Sequence, residues 1–74
     1  HLLGASGAVE IIVAAKTIEK SIIHPTVNLQ TVDPLCDPKL DFVLKKAKEK
    51  KVDYAISNSL GFGGHNCTLV VGRV

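Results

Sequence analysis

The sequence predicts a small α/β fold in which one apolar helix packs with two or three strands. Residues 7–20 carry apolar side chains on every side of the expected helix, which is typical of a helix that is enclosed all round. The stretches "VDYAIS" at 52–57 and "NCTLVV" at 66–71 have the composition and alternation of strands. Between these two stretches lies "NSLGFGGH", which has three glycines in four positions.

The expected helix has suitable residues at both ends. Ser6 can accept a hydrogen bond from a free N–H group at the start, and Lys16 and Lys20 lie near the end, where the helix dipole favours cations. The other residues are too few to cover such a helix, and the chain contains no Met. We therefore expect residues 1–74 to be part of a larger protein and to form no complete independent domain.

The middle of the chain is expected to be mostly irregular. Two prolines in residues 21–34 exclude a helix there, so this part is predicted to be an extended connector with a short edge strand at Ser21–His24. The stretch "LDFVL" at 40–44 alternates like a short strand. The lysine-rich residues 45–51 are predicted to form a loop.

The last third of the chain is predicted to carry a functional loop. Val52, Tyr54 and Ile56 alternate along one expected strand and are assigned to one face. The segment 58–65 is longer than the two to five residues of a plain hairpin loop. Its "GFGG" run can present backbone N–H groups to an anion or a developing oxyanion, but it is not a dinucleotide or phosphate-loop motif.

Charge and cysteine content exclude several classes of function. The net charge is +2, and the clustered lysines lack aromatic partners for stacking on bases, so nucleic acid is not expected as a partner. No apolar run reaches the ~18 residues of a membrane span. Cys36 and Cys67 are predicted to be free thiols in a reducing compartment, and their spacing from His24 and His65 matches no zinc module.

Two ionisable residues near the helix start are chemical candidates. His1 precedes the helix by six residues, and the positive potential of a helix N-terminus favours its neutral imidazole. Glu10 lies within the apolar stretch. A buried carboxylate there would need a cationic or hydrogen-bonding partner, whereas an exposed one would simply benefit from the dipole; the residues alone leave both readings open.

Two segments together resemble a known family. "HLLGASGAVE" at 1–10 and "SNSLGFGGHN" at 57–66 resemble the C-terminal part of the elongating type of β-ketoacyl-acyl-carrier-protein synthases. "HPTVNL" at 24–29 and "LDFV" at 40–43 lie between them in the order that this family shows. The resemblance spans essentially all 74 residues. It implies a thiolase-like α/β fold, of which residues 1–74 would form the end of the second half.

The resemblance also implies an activity and its residues. The family condenses malonyl-carrier protein with acyl-carrier protein by a decarboxylative Claisen reaction in fatty acid elongation. His1 matches the second of two catalytic histidines, which stabilises the enolate of the malonyl thioester. Phe62 matches a residue whose backbone N–H completes the oxyanion hole and whose ring gates the acyl chain. Gly61, Gly63 and Gly64 would let this loop move.

Further expectations depend on the same resemblance. Glu10, Ser57 and Asn58 match positions that support the active site or hold a structural monovalent or divalent cation; no other cofactor and no catalytic metal are expected. The partners would be acyl-carrier protein and a second copy in a homodimer, and the compartment the cytoplasm, or a plastid or mitochondrion in a eukaryote. The nucleophilic cysteine, the first histidine and a lysine would precede residue 1, so the 74 residues alone should be inactive.

The chain departs from the family pattern at two positions, and other functions stay open. Leu60 stands where a second phenylalanine is usual, and His65 where threonine is frequent. One alternative is a polyketide ketosynthase or a chain-length-factor relative of the same fold. Another is a non-enzymatic module that binds an anion or an acidic partner through the glycine loop and the lysines.

Overall fold

The computed structural model describes residues 1–74 as one helix and two small antiparallel sheets. A 3₁₀ turn at Leu3–Ala5 leads into helix α1, Ser6–Lys20. Strands β1, Ile22–Ile23, and β2, Lys48–Glu49, pair with each other, and strands β3, Tyr54–Gly61, and β4, His65–Gly72, form a hairpin. The α/β prediction is thus confirmed, with α1 packed against the hairpin.

Helix α1 begins one residue before the predicted start and ends where predicted. One side of α1 packs on the hairpin, and the less exposed side chains on this side recur about once per helical turn. Ile18 lies on this side and, at 5% exposure, is the one buried residue of the chain. Val9, Ile12 and Val13 on the other side are exposed. Within these 74 residues the helix is therefore covered on one side only. It is not long and apolar enough to cross a membrane.

The hairpin is longer, and its loop shorter, than predicted. Pairing runs without interruption from Tyr54↔Gly72 to Gly61↔His65, so the loop is residues 62–64 and not 58–65. Two features explain the difference. Asn58 Oδ1 accepts a hydrogen bond from Thr68 Oγ1 across the strands at 2.8 Å. Gly63 and Gly64 both have φ of +84°, which glycine adopts without steric cost, so the chain reverses in three residues.

Tyr54 and Ile56 share one face of the first hairpin strand, as predicted, while Val52 precedes the strand. This face is the outer one, since Tyr54 and Ile56 are 74% and 62% exposed. The half-buried residues of β3 are the small ones, Ala55, Ser57 and Ser59. The helix lies close to this face: a Cβ on Gly7 would be 3.6 Å from Ser59 Oγ. Small residues on both sides permit this short separation, so close packing and not hydrophobicity selects the inner face.

The connector contains the predicted edge strand, but its partner lies elsewhere than expected. Strand β1 falls within the predicted Ser21–His24 and pairs with Lys48–Glu49, in the segment that was predicted to be a loop. The strand predicted at 40–44 is absent. Apolar alternation was misleading there because local turns hold the backbone.

Hydrogen bonds around Asp41 explain why residues 40–44 form no strand. Its Oδ1 accepts the Val43 N–H at 2.8 Å, and Val43 itself has φ of +50°, which is incompatible with a strand. Thr26 N–H donates to the Val43 carbonyl at 2.8 Å, and Thr26 Oγ1 donates to the Phe42 carbonyl. These bonds fix residues 41–43 to the connector as turns.

Candidate functional site

The two segments that carry the family resemblance meet in space. The N-terminal turn, the start of α1 and the tip of the β3–β4 hairpin surround a cleft of about 540 Å³. Five of the predicted site residues line it, although they are separated by some fifty positions in sequence. The lining consists of His1, Leu3, Gly4, Ser6, Gly7, Glu10, Asn58, Ser59, Leu60, Gly61 and Phe62.

His1 is held in one tautomer by the turn that follows it. Leu3 has φ of +50°, and its N–H donates a hydrogen bond to His1 Nδ1 at 2.8 Å. A ring nitrogen that accepts a hydrogen bond carries no hydrogen, so in the neutral imidazole the hydrogen is on Nε2. The imidazole therefore has a hydrogen-bond donor on the nitrogen that the protein backbone does not use.

Phe62 occupies the tip of the hairpin and is 99% exposed. Gly63 and Gly64 follow it with positive φ, so the tip is a glycine turn that can change conformation at low steric cost. Gly61 differs from the prediction. It pairs with His65 in the sheet, and a Cβ there would lie only 3.3 Å from His65 Cβ. Gly61 thus serves close strand packing, and the turn itself is limited to residues 62–64.

The three residues matched to structural support also lie near one another. Glu10, Ser57 and Asn58 line a second cleft, of about 450 Å³, between α1 and β3. The side-chain oxygen of Asn58 is already bonded to Thr68, and no group of three or more His, Cys, Asp or Glu residues is placed to hold a metal ion. A cation bound by these residues stays a prediction.

The charged groups whose pKa values are shifted lie outside the His1 cleft. The pKa of Asp41 is lowered, first by the side-chain hydrogen bond from Lys48 at 2.6 Å and then by the Val43 N–H. The pKa of Glu19 is lowered by its hydrogen bond and ion pair with Lys16 at 2.9 Å. Both carboxyls are exposed. The cleft itself is lined mostly by neutral groups, which suits chemistry based on hydrogen-bond donors.

Sequence reasoning missed Arg73. The two hydrogens of its guanidinium nitrogen Nη2 are shared among three acceptors: the Ile18 carbonyl at 2.5 Å, the Val52 carbonyl at 3.1 Å and Ser21 Oγ at 3.2 Å. It therefore satisfies a free carbonyl at the end of α1 and ties that end to the segment before β3. One signal could have pointed to it: Arg73 is the only arginine among nine basic residues, and arginine is favoured where one cation must bind several acceptors.

The two cysteines stand apart from the cleft. Cys36 and Cys67 are free and exposed, and neither lines the cleft around His1. That neither cysteine is the nucleophile stays a prediction.

The similarity to known proteins extends over almost the whole chain. No family model matches the chain. The 3-oxoacyl-[acyl-carrier-protein] synthase 2 of Staphylococcus aureus is 53% identical over 70 residues, which are 95% of this chain and 17% of that protein. The protein of the same name from Coxiella burnetii is 49% identical over 74 residues, 100% of this chain and 17% of its own length.

The similarity to this class of enzymes is also seen in a solved structure. The crystal structure of a β-ketoacyl synthase from Burkholderia phymatum matches with a TM-score of 0.86 and 38% identity, over 96% of this chain and 17% of that one. The chain thus spans about a sixth of the length of the relatives it matches. The resemblance inferred from the residues, and with it the thiolase-like α/β fold, is confirmed.

Proposed function

Because this chain corresponds in sequence and fold to a segment of the β-ketoacyl synthases, we propose that it is part of a 3-oxoacyl-[acyl-carrier-protein] synthase. The reaction is the decarboxylative Claisen condensation of malonyl-carrier protein with an acyl group in fatty acid elongation. The observation that supports it most directly is the cleft whose lining includes both His1 and Phe62. The two proposed catalytic residues are brought to one place by elements that are distant in the sequence.

His1 acts as a hydrogen-bond donor in this proposal. Loss of carbon dioxide from a malonyl thioester leaves an enolate whose negative charge collects on the thioester oxygen. The Nε2–H of His1 donates to that oxygen, and the Leu3 N–H keeps Nδ1 free of a hydrogen, so the tautomer is set before substrate arrives. A preorganised donor of this kind typically contributes 10²–10³-fold to the rate.

The Phe62 turn acts on the second substrate. The backbone N–H of Phe62 donates to the oxygen of the acyl thioester as the tetrahedral intermediate forms, and the exposed ring closes over the acyl chain. Gly63 and Gly64 supply the freedom for this closure. Gly61 anchors the turn to the sheet by its pairing with His65.

The rest of the machinery belongs to the longer protein in this proposal. A cysteine nucleophile, a further histidine and a lysine come from outside the 74 residues, and the exposed side of α1 packs within that protein. Acyl-carrier protein delivers both substrates, and the enzyme works as a homodimer in the cytoplasm, or in a plastid or mitochondrion. Glu10, Ser57 and Asn58 support the site or bind a structural cation.

The test uses the full-length protein that contains this chain, with acyl- and malonyl-carrier protein as substrates. We expect β-ketoacyl product, and a loss of about 10²–10³-fold in kcat for His1→Ala. His24→Ala is the matched control, since His24 is an exposed connector residue that does not line the His1 cleft, and its Nδ1 lies 3.2 Å from the Pro25 carbonyl oxygen. No product from the wild-type protein, or equal losses in both variants, would contradict the proposal.

A second measurement separates the enzyme from the non-enzymatic alternative. The 74-residue chain alone is mixed with acyl-carrier protein and analysed by mass spectrometry. We expect no acyl adduct on Cys36 or Cys67. An acyl thioester on either thiol would show that the nucleophile had been assigned to the wrong part of the protein. If the full-length protein bound acyl-carrier protein tightly but had no condensing activity, a binding module would be favoured instead.

A further inference from the structure

The His1 ring has a second contact that the proposed mechanism does not use. Ser6 Oγ lies 3.2 Å from His1 Nδ1, the same nitrogen that accepts the Leu3 N–H at 2.8 Å. Ser6 was expected only to accept a hydrogen bond from a free N–H at the helix start. That expectation is wrong: Ala5 is the N-cap and no side chain caps the helix. Ser6 Oγ instead accepts the N–H of Leu2, in the preceding turn, at 2.9 Å, and its hydroxyl has a hydrogen left to donate.

The count of hydrogens fixes the direction of the Ser6–His1 bond. Nδ1 accepts from Leu3 and so carries no hydrogen. A hydroxyl has one hydrogen and two acceptor lone pairs, so Ser6 Oγ accepts the Leu2 N–H and still has its hydrogen to donate. Because Nδ1 without a hydrogen can only accept, the Ser6 O–H is the donor in this contact. The single lone pair of Nδ1 is then shared by the Leu3 N–H and the Ser6 O–H.

The position of Ser6 gives this bond a mechanical role. His1 and Leu3 belong to an exposed turn, whereas Ser6 is the first residue of α1. Gly7, the next residue, lies close to Ser59 of β3, and β3 carries the Phe62 turn. The bond from Ser6 therefore connects the His1 ring to the same rigid unit that holds the opposite side of the cleft.

We propose that Ser6 is a positioning residue, whose hydroxyl orients the His1 imidazole for the condensation reaction, while the Leu3 N–H sets the Nε2–H tautomer. This inference rests on the proposed function. Ser6 touches no substrate in it; it acts through His1. The Ser6 hydroxyl thereby limits the rotation of the His1 ring about its Cβ–Cγ bond, which the Leu3 N–H alone does not prevent.

The test reads the His1 ring directly in the full-length protein, labelled with ¹⁵N in histidine. In the wild type we expect a two-bond ¹H–¹⁵N spectrum in which Nδ1 is unprotonated and Nε2 protonated. In Ser6→Ala the Nδ1 resonance should move downfield because one donor is lost, and kcat should fall about fivefold with KM for the malonyl substrate unchanged, the usual effect of one hydrogen bond. Ser6→Thr keeps the hydroxyl and should restore both values.

Thr17→Ala is the matched control. Thr17 also carries a hydroxyl on α1, but it donates to the Val13 carbonyl within the helix, so its loss should leave the His1 spectrum and kcat unchanged. The proposal is overturned if Ser6→Ala leaves Nδ1 unmoved, if Ser6→Thr fails to rescue, or if Thr17→Ala has the same effect. A wild-type protein without condensing activity would refute the proposed function instead, while the Nδ1 resonance would still decide the Ser6 contact.

Discussion

The 74-residue chain on its own should not fold cooperatively, and the exposed area gives the size of the deficit. A compact protein of 7.9 kDa exposes about 4,400 Å², whereas this chain exposes 6412 Å². The excess is about 2,000 Å². With a little over half of it apolar, and about 25 cal/mol for each Å² of apolar area, the missing burial amounts to on the order of 30 kcal/mol. Whole domains are stable by only about 5–15 kcal/mol.

The assay is urea unfolding of the isolated chain, followed by far-ultraviolet circular dichroism, with sedimentation equilibrium at the same concentrations. We expect a shallow change in ellipticity without a sigmoidal transition. The sedimentation data serve as the control, because self-association could cover the exposed side of α1. A monomer with a steep transition would refute the reasoning, since Ile18 as the only buried residue cannot support two-state unfolding.

Three further predictions concern the protein that contains this chain. Arg73→Ala should lower the free energy of unfolding in urea by about 2 kcal/mol, since three acceptors lose the charged Nη2 donor that they share. Arg73→Lys should recover only part, because an ammonium has no second nitrogen to pair with Asp53 Oδ1, which lies 3.6 Å from Arg73 Nε; full recovery would contradict a need for the guanidinium. The pKa of the Asp41 carboxyl should lie below 3.8, so its pairing with Lys48 stabilises the fold above pH 3.8 and is lost as the pH falls through the lowered pKa. In an NMR titration that follows the Asp41 carboxyl carbon, Lys48→Ala should raise this pKa, and no change would refute the pairing. Gly64→Ala should lower the free energy of unfolding by about 1 kcal/mol, because Gly64 has a positive φ. Gly4→Ala is the control, since a Cβ there also enters open space, and it should lower the free energy of unfolding less; equal losses would exclude backbone strain as the cause.

The local elements of this fold were largely predictable. The bounds of α1 follow from the apolar run and its flanking polar residues, and the two hairpin strands follow from their β-branched alternation. Residues 40–44 show the limit of the same reasoning. Their alternation is that of a strand, but hydrogen bonds from Thr26, some sixteen positions away, hold them as turns. A period-two pattern reports which side chains are apolar and not which backbone groups find partners.

The inner face of β3 shows a second limit. Ile56 and Tyr54 are the larger apolar side chains, yet the helix packs on Ala55, Ser57 and Ser59. The choice depends on how closely α1 approaches the sheet, which is a property of two elements together. The same holds for Arg73, whose acceptors lie at positions 18, 21 and 52 and become neighbours only in the folded chain.

The resemblance to the β-ketoacyl synthases, the helix, the two hairpin strands and the choice of His1 and Phe62 as candidates could all be predicted from the sequence, because they depend on residue types at fixed local spacing. That His1 and Phe62 share a cleft follows only from the packing of the helix against the hairpin, because the two residues are about sixty positions apart in the sequence. The contacts of Leu3 and Ser6 with His1 Nδ1 are local, but they depend on the conformation of the N-terminal turn, in which the groups lie about 3 Å apart. Residue types alone do not specify that conformation.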